Sequence, residues 1–131
     1  MSDLPVCRQS ILVAEDESLI RMLMVDTFED AGYTVIEVGT GDAGIHILGQ
    51  GQTIVGLVTD IDMPGDVDGC ALARVTRVHY PDAAILVVSG NGEPTPKSLP
   101  DGAEFIAKPY DIDDVLRRLE MLLAPATRVG T

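Results

Sequence analysis

The sequence predicts an α/β fold, a doubly wound five-stranded parallel sheet with helices on both faces. Short runs rich in β-branched residues alternate along the chain with segments of helical periodicity, as parallel strands joined by helical crossovers require. The strand-like runs are apolar without alternation, which indicates burial on both faces of the sheet. The length of 131 residues fits one domain, predicted over residues 9–124 with short tails at 1–8 and 125–131.

The strands are recognised by their β-branched content and by the polar or glycine residues that bound them. Four are clear and a fifth is weaker. In chain order they are predicted at residues 11–14, 34–38, 54–58, 85–88 and, most weakly, 104–107.

Four helices are predicted between and after these strands. In the first, apolar residues from Ile20 to Ala31 recur at helical spacing, Ser18 and Asp16 are alternative caps for its start, and Gly32 is placed to end it. The others are predicted at residues 41–48, 70–80 and 112–123, the last two ending before Pro81 and Pro125.

The crossover between the fourth and fifth strands breaks this regular alternation. Residues 90–102 contain three prolines and three glycines where a helix is expected. Because proline interrupts helical hydrogen bonding, this fourth helix of the regular pattern is predicted to be short or irregular.

The charge balance excludes several classes of function. Nine Lys and Arg against 21 Asp and Glu give a net charge of -12, so the chain lacks the basic face that binds nucleic acid or an anionic membrane. Cys7 and Cys70 form neither a disulfide framework nor a zinc motif, which fits a reducing compartment. No apolar run is long enough to span a bilayer, and a cytoplasmic location is predicted.

Polar groups follow four of the predicted strands. Because the carboxyl ends of parallel strands meet at one edge of the sheet, where such folds bind ligands, these groups are expected to converge. Crowded carboxylates repel one another unless a cation intervenes, and Mg²⁺ prefers oxygen ligands while keeping positions for phosphate oxygens. With one Asp as nucleophile, the set predicts a site that holds a phosphoryl group. Its members are Glu15, Asp16, Glu17, Asp60, Asp62, Ser89 and Lys108.

Taken singly, each of these groups also has an ordinary structural interpretation. An acidic run before a helix favours the helix dipole, and Asp60 is a plausible turn residue beside Pro64 and Gly65. Ser89 fits a turn at a strand end, and Lys108 fits a solvated surface charge. The convergence of four strand ends on one edge is what favours the functional interpretation.

In its motifs the sequence resembles the receiver domains of bacterial two-component response regulators, of the stand-alone CheY-like type. The matching segments are residues 11–17, 57–65 followed by Asp68-Gly69, 87–90 and 105–110, in the order of that family. The resemblance implies a flavodoxin-like sheet with strand order 2-1-3-4-5. The spacing from Ser89 to Lys108 is shorter than usual in the family, which agrees with an abbreviated fourth helix.

Carried over residue by residue, the resemblance makes Asp60 the phosphoacceptor, which takes a phosphoryl group from a phosphohistidine of a partner protein. It implies a Mg²⁺ cofactor held by Asp16, by Asp60, by the backbone carbonyl of Asp62 and, through a water molecule, by Glu15. Lys108 would pair with the phosphoryl oxygens.

The resemblance also implies residues that respond to phosphorylation. Ser89 would move toward the phosphoryl group, and Phe105 would be the switch aromatic that changes its burial. Gly90 would leave room for the phosphodonor, and Pro109 would follow a cis peptide bond. Asp62 and Asn91 are further hypothesised to flank the path of the hydrolytic water.

The implied function is a signalling module and not an enzyme, because it catalyses only its own phosphorylation and slow dephosphorylation. Its expected partners are a sensor histidine kinase or histidine phosphotransfer protein and a downstream protein target. The residues past 123 are too few for an output domain. The alternatives are a small phosphohydrolase of the haloacid dehalogenase type, suggested by Asp60-Ile61-Asp62, and a phosphate sink or pseudo-receiver binding module.

Overall fold

A computed structural model of the protein describes residues 10–90 and 99–128, and side chains as far as residue 123. Strands and helices alternate as the sequence predicts as far as the fourth strand, which the fifth strand follows among the described elements. They are β1 (Ser10–Ala14), α1 (Ser18–Asp30), β2 (Thr34–Val38), α2 (Gly41–Leu48), β3 (Ile54–Asp60), α3 (Gly69–His79), β4 (Ala84–Ser89), β5 (Glu104–Ala107) and α4 (Ile112–Arg128). The strands pair in parallel in the order β2-β1-β3-β4-β5, which confirms the predicted fold.

The apolar core forms two layers, one on each face of the sheet. Successive strand residues point to opposite faces, so neighbours such as Ile11 and Leu12 enter different layers. Helices α2 and α3 cover one layer, and α1 and α4 cover the other. Burial on both faces explains why the inner strands β1, β3 and β4 are mostly apolar, whereas the edge strands β2 and β5 are only partly buried. Asp60 ends β3, the central strand.

The start of α1 differs from the predicted one. Its N-cap is Glu17, without a side-chain capping hydrogen bond, so neither Ser18 nor Asp16 is the cap. The first helical hydrogen bond runs from the N–H of Arg21 to the carbonyl of Glu17 at 2.9 Å, which makes Glu17 the residue at the cap position. The backbone N–H of Glu17 in turn donates to Oε2 of Glu15 at 3.0 Å. The predicted end is confirmed, since Gly32 follows the helix with a φ of 101°.

The other helices agree with the prediction except at the end of α4. Asp68 caps α3, its side chain accepting a hydrogen bond from the N–H of Ala71 at 2.9 Å. The predicted end before Pro125 is wrong, because α4 continues to Arg128. A proline lacks the N–H for one helical hydrogen bond, but this loss does not always end the helix.

The crossover between β4 and β5 is described only in part. The predicted short helix falls largely on residues 91–98, which lie outside the described residues. Residues 99–103 form a turn in which the N–H of Ala103 donates to the carbonyl of Pro100 at 3.2 Å. Among the described residues, no helix combines the length and apolar character needed to cross a membrane.

Candidate functional site

The carboxyl ends of four strands bring the predicted polar residues to one edge of the sheet. Glu15 and Asp16 follow β1, Asp60 ends β3, Ser89 ends β4 and Lys108 follows β5. One carboxylate oxygen from each of Glu15, Asp16 and Asp60 lies within 4.8 Å of the other two. The three acids therefore form the cluster that the strand assignments predict.

Asp60 is buried and both of its carboxylate oxygens are held. Its side chain is 2% exposed, and Oδ2 accepts a hydrogen bond from Nζ of Lys108 at 2.8 Å. Oδ1 accepts from the backbone N–H of Asp62 at 3.0 Å. The hydrogen bond to Asp60 is the main cause of a raised pKa at Lys108, which keeps the ammonium charged. The carboxylate is thus fixed in orientation beside a permanent positive charge.

Glu15 carries the strongest sign that the site takes a cation. The residue is 1% exposed, and Oε1 is buried with no hydrogen-bond partner among the described residues. The pKa of Glu15 is raised to about 7, mainly by burial. The charges of Asp60 and Asp16 contribute to this rise, and the Glu17 N–H and Lys108 oppose it. A divalent cation would give Oε1 a partner and would favour the charged form.

The two remaining predicted ligand residues lie toward solvent. Asp16 and Asp62 are both exposed. Mg²⁺ usually keeps several waters and uses one or two carboxylates, so a cluster with buried and exposed members suits it. The donor set of this chain therefore fits Mg²⁺, while the carbonyl of Asp62 as a ligand stays a prediction.

Backbone hydrogen bonds hold the strand ends in register around the site. The N–H of Ile61 donates to the carbonyl of Val88 at 2.9 Å, and the N–H of Lys108 donates to the carbonyl of Ser89 at 2.8 Å. The peptide bond between Lys108 and Pro109 is cis, as the resemblance implies. These contacts continue the sheet beyond its strands and place Lys108 over the end of β4.

The predicted switch and access residues lie beside this edge. Ser89 is buried, and Phe105 is half-buried against the core layer under α2 and α3. A Cβ added at Gly90 would lie 3.3 Å from Cδ of Lys108, so the glycine leaves room for the lysine stem. The switch roles of Ser89 and Phe105 stay predictions, and Asn91 lies outside the described residues.

Two residues beside the site are not singled out by sequence reasoning. Arg21 contacts the backbone of Glu15, and its sequence signal is a cation at helical spacing from the buried Met24 and Phe28. Tyr110 has a buried hydroxyl without a hydrogen-bond partner among the described residues. Burial is the main cause that raises the pKa of Tyr110 to about 12, followed by the charge of Glu15.

Comparisons with known proteins agree with this geometry. The model of the family described as "Response regulator receiver domain" matches residues 11–120. The response regulator receiver protein CpdR of Brucella abortus (strain 2308) is 34% identical over 119 residues, which cover 88% of this chain and 98% of that protein. The sensor kinase CckA of the same organism is 31% identical over 87% of this chain, which spans only 12% of the kinase.

Solved structures of similar sequence share the fold. The crystal structure of a response regulator receiver protein from Sinorhizobium medicae WSM419 matches with a TM-score of 0.82 and 32% identity, over 89% of this chain and 95% of that one. The receiver domain of the hybrid histidine kinase CckA matches with a TM-score of 0.73 and 30% identity, over 87% and 98%. The chain therefore belongs to the response regulator receiver domain family, the phosphoacceptor modules of two-component signalling.

Proposed function

We propose that Asp60 is the phosphoacceptor of this receiver and that it takes the phosphoryl group from a phosphohistidine of a sensor histidine kinase or a histidine phosphotransfer protein. The observation that carries the proposal is the position of its carboxylate. This carboxylate is buried at the end of the central strand, and its Oδ2 accepts a hydrogen bond from Nζ of Lys108 at 2.8 Å. One of its oxygens also lies within 4.8 Å of a carboxylate oxygen of Glu15 and of Asp16.

The transfer needs one nucleophile and several groups that neutralise charge. An oxygen of Asp60 forms a bond to phosphorus, and the bond from phosphorus to the donor imidazole breaks with its electron pair leaving on the ring nitrogen. Lys108, already bonded to Asp60, is placed to donate to a phosphoryl oxygen. Mg²⁺ held by Asp16, Asp60, the carbonyl of Asp62 and, through a water molecule, Glu15 would supply further neutralisation of the phosphoryl oxygens and of the crowded carboxylates.

Phosphorylation would then bias a conformational equilibrium that governs binding of a downstream protein. The new phosphoryl oxygens offer acceptors to Ser89 and Lys108, which lie at the ends of adjacent strands. Phe105 is half-buried on β5 and pairs with Val87, so a change there would reach the outer edge of the sheet. Because each molecule is modified once, the protein acts as a signalling module and not as a turnover enzyme.

The cytoplasm is the proposed location. The cysteine that the structure describes, Cys70, is free and buried, which fits a reducing compartment. A histidine kinase partner with a cytoplasmic phosphohistidine would also require this location.

The haloacid dehalogenase alternative is not favoured. That family carries its Asp-x-Asp motif on the first strand, whereas Asp60-Ile61-Asp62 follows the third strand of this sheet. It also leaves the buried Glu15 and the exposed Asp16 unexplained. The match of residues 11–120 to the receiver family supports the receiver interpretation, which gives Glu15, Asp16 and Asp60 a shared role.

Phosphorylation with a small donor tests the proposal. Wild-type protein, Asp60→Asn and Asp66→Asn would be incubated with acetyl phosphate and Mg²⁺, with and without EDTA, and their intact masses measured. Asp66 is an exposed acid six residues from Asp60 and outside the carboxylate cluster, which makes it a matched control. We expect one phosphoryl group on wild type and on Asp66→Asn, and none on Asp60→Asn or with EDTA.

Two results would overturn the proposal. Label that persists in Asp60→Asn would move the phosphoacceptor elsewhere, and no label on wild type from acetyl phosphate or from a phosphorylated histidine kinase would indicate a pseudo-receiver. Continuous turnover of a phosphate ester would instead favour the phosphohydrolase. A phosphate sink would accept label normally and show no change in binding to other proteins.

A further inference from the structure

We propose that Arg21 is a positioning residue for the metal site, because its guanidinium fixes the peptide that joins the two ligand residues Glu15 and Asp16. The inference rests on the proposed Mg²⁺ site and adds a residue to it. Arg21 would not touch the cation or the phosphoryl group. It would act through the direction in which the two carboxylate side chains leave the backbone.

The contact is short and reaches the relevant peptide group directly. Nη1 of Arg21 donates to the carbonyl oxygen of Glu15 at 2.6 Å. That carbonyl belongs to the peptide between Glu15 and Asp16, so its orientation sets the rotation of the backbone between the two ligands. Hydrogen bonds from a charged donor are about twice as strong as neutral ones, which suits Arg21 to hold one orientation.

A second contact anchors the guanidinium to the edge strand. Nε of Arg21 donates to Oε1 of Glu37 on β2 at 3.0 Å. The N–H of Glu15 donates to the carbonyl of Val38, also on β2, at 3.1 Å. Both peptide groups of Glu15 are therefore tied to β2, one directly and one through Arg21 and Glu37.

The surroundings leave space for the guanidinium at this position. The side chain of Arg21 is 22% exposed and lies on the face of α1 that also carries the buried Met24 and Phe28. A Cβ at Gly39, just after β2, would lie 3.4 Å from Nη1 of Arg21. The guanidinium thus lies between helix α1 and the residue that follows β2, beside the carboxylate cluster.

The sign of the expected effect separates positioning from simple electrostatics. Arg21 is a cation near a site for a cation, so by charge alone its removal would tighten Mg²⁺ binding. If Arg21 instead holds the ligands in place, its removal weakens Mg²⁺ binding. A loss of fold stability alone would leave the dissociation constant of the folded protein unchanged.

The test compares Mg²⁺ dissociation constants measured by titration of backbone amide chemical shifts. Arg21→Met removes the charge and both donors, Arg21→Lys keeps the charge but loses the fork, and Glu37→Gln loosens only the anchor to β2. Arg118→Met is the matched control, since Arg118 is a half-exposed arginine paired with Glu104 at the opposite end of β5. Circular dichroism of each variant reports whether it is folded.

Loss of a partner that orients a metal ligand commonly weakens affinity by about 10 to 100-fold. We expect Arg21→Met to weaken Mg²⁺ binding by about tenfold, at the low end of that range because the contact is to backbone. Arg21→Lys and Glu37→Gln should weaken it less, and Arg118→Met should match wild type.

Unchanged or tighter Mg²⁺ binding in folded Arg21→Met would overturn the inference while leaving the proposed site intact. If Arg21→Met fails to fold, unchanged binding in both Arg21→Lys and Glu37→Gln would overturn it equally. Wild-type protein that does not bind Mg²⁺ would overturn the proposed metal site itself, together with the role of Arg21.

Discussion

Replacement of Gly69 with alanine probes how closely α3 packs against the proposed phosphoacceptor. A Cβ at residue 69 would lie 2.0 Å from the carbonyl oxygen of Asp60, 2.7 Å from its carbonyl carbon and 2.8 Å from Cα of Ile61. All three are backbone atoms, so no side-chain rotation relieves the overlap. The N–H of Gly69 also donates to the carbonyl of Ile61 at 3.0 Å, which keeps the two segments together. The variant must therefore shift α3 or the peptide that follows Asp60.

The expected cost follows from the size of this overlap. A carbon to oxygen contact normally needs about 3.3 Å, so the overlap with the carbonyl of Asp60 is about 1.3 Å. Overpacking of a well-packed interior usually costs about 1–3 kcal/mol, and a clash with immovable backbone belongs at the upper end. The better helix propensity of alanine returns at most about 1 kcal/mol. We expect Gly69→Ala to lower the free energy of unfolding by about 2–3 kcal/mol.

Gly49→Ala is the matched control for this substitution. Gly49 has an ordinary φ of -79°, and a Cβ there would meet only the carbonyls of His46 and Ile45, at 3.6 and 3.9 Å. Its free energy of unfolding should stay within about 1 kcal/mol of wild type, with a trend toward stabilisation.

The assay is urea denaturation followed by far-ultraviolet circular dichroism, because the chain has no tryptophan to report by fluorescence. The rate of phosphorylation by acetyl phosphate, measured on the folded fraction, should also fall in Gly69→Ala, since the displaced peptide carries Asp60. The reasoning is refuted if the free energies of unfolding of Gly69→Ala and Gly49→Ala differ by less than about 0.5 kcal/mol, which is no more than ordinary surface substitutions produce.

Three other perturbations have smaller expected effects. Tyr110→Phe removes a buried hydroxyl that has no hydrogen-bond partner among the described residues, so the free energy of unfolding should rise by about 1 kcal/mol in urea denaturation. A loss of stability there would show that the hydroxyl has a partner in solution. Asp68→Ala removes the cap of α3 and should lower the free energy of unfolding by about 1 kcal/mol in the same assay. Asp66→Ala, which replaces an exposed acid nearby, should change it little. Mg²⁺ at a hundredfold excess over its dissociation constant should stabilise wild type by about 2.7 kcal/mol and EDTA should reverse this, so a thermal transition indifferent to Mg²⁺ would contradict the metal site.

The architecture was predictable because its main determinants are local patterns. Continuous apolar runs indicated strands buried on both faces, and the structure confirms this for β1, β3 and β4, while the edge strands β2 and β5 are only partly buried. Once the strands were assigned, the meeting of their carboxyl ends at one edge followed from parallel topology alone. Glu15, Asp16, Asp60 and Lys108 could therefore be grouped although they are spread over most of the chain.

Some features that escaped prediction depend on contacts between elements distant in sequence. Residues Arg21 and Glu37 are paired only because α1 packs beside β2, and no local spacing rule links them. The start of α1 was missed for a local reason, because the first helical hydrogen bond ends at the carbonyl of Glu17 and makes that residue the cap instead of Ser18 or Asp16. Leu23 lies among the apolar residues between Ile20 and Ala31 that recur at helical spacing, yet it is 46% exposed.

The carboxylate cluster explains why such positioning contacts are needed at all. Two unit charges 4.8 Å apart repel by about 3.5 kcal/mol at an effective dielectric constant of 20. Lys108 offsets this repulsion for Asp60, at 2.8 Å, but the unpartnered Oε1 of Glu15 has no comparable neighbour among the described residues.

Without a cation, the carboxylates of the cluster repel one another, and the contacts at Glu15 and Asp16 that oppose this among the described residues involve backbone groups. The N–H of Glu17 restrains one carboxylate oxygen of Glu15, and Arg21 restrains the peptide that leads to Asp16. Because the strands on either side are buried and paired, loss of the arginine would leave the sheet in place while the ligands spread. Substitution of Arg21 should therefore change the affinity for Mg²⁺ more than it changes the free energy of unfolding. Comparing both quantities in Arg21→Met and Arg118→Met tests this expectation.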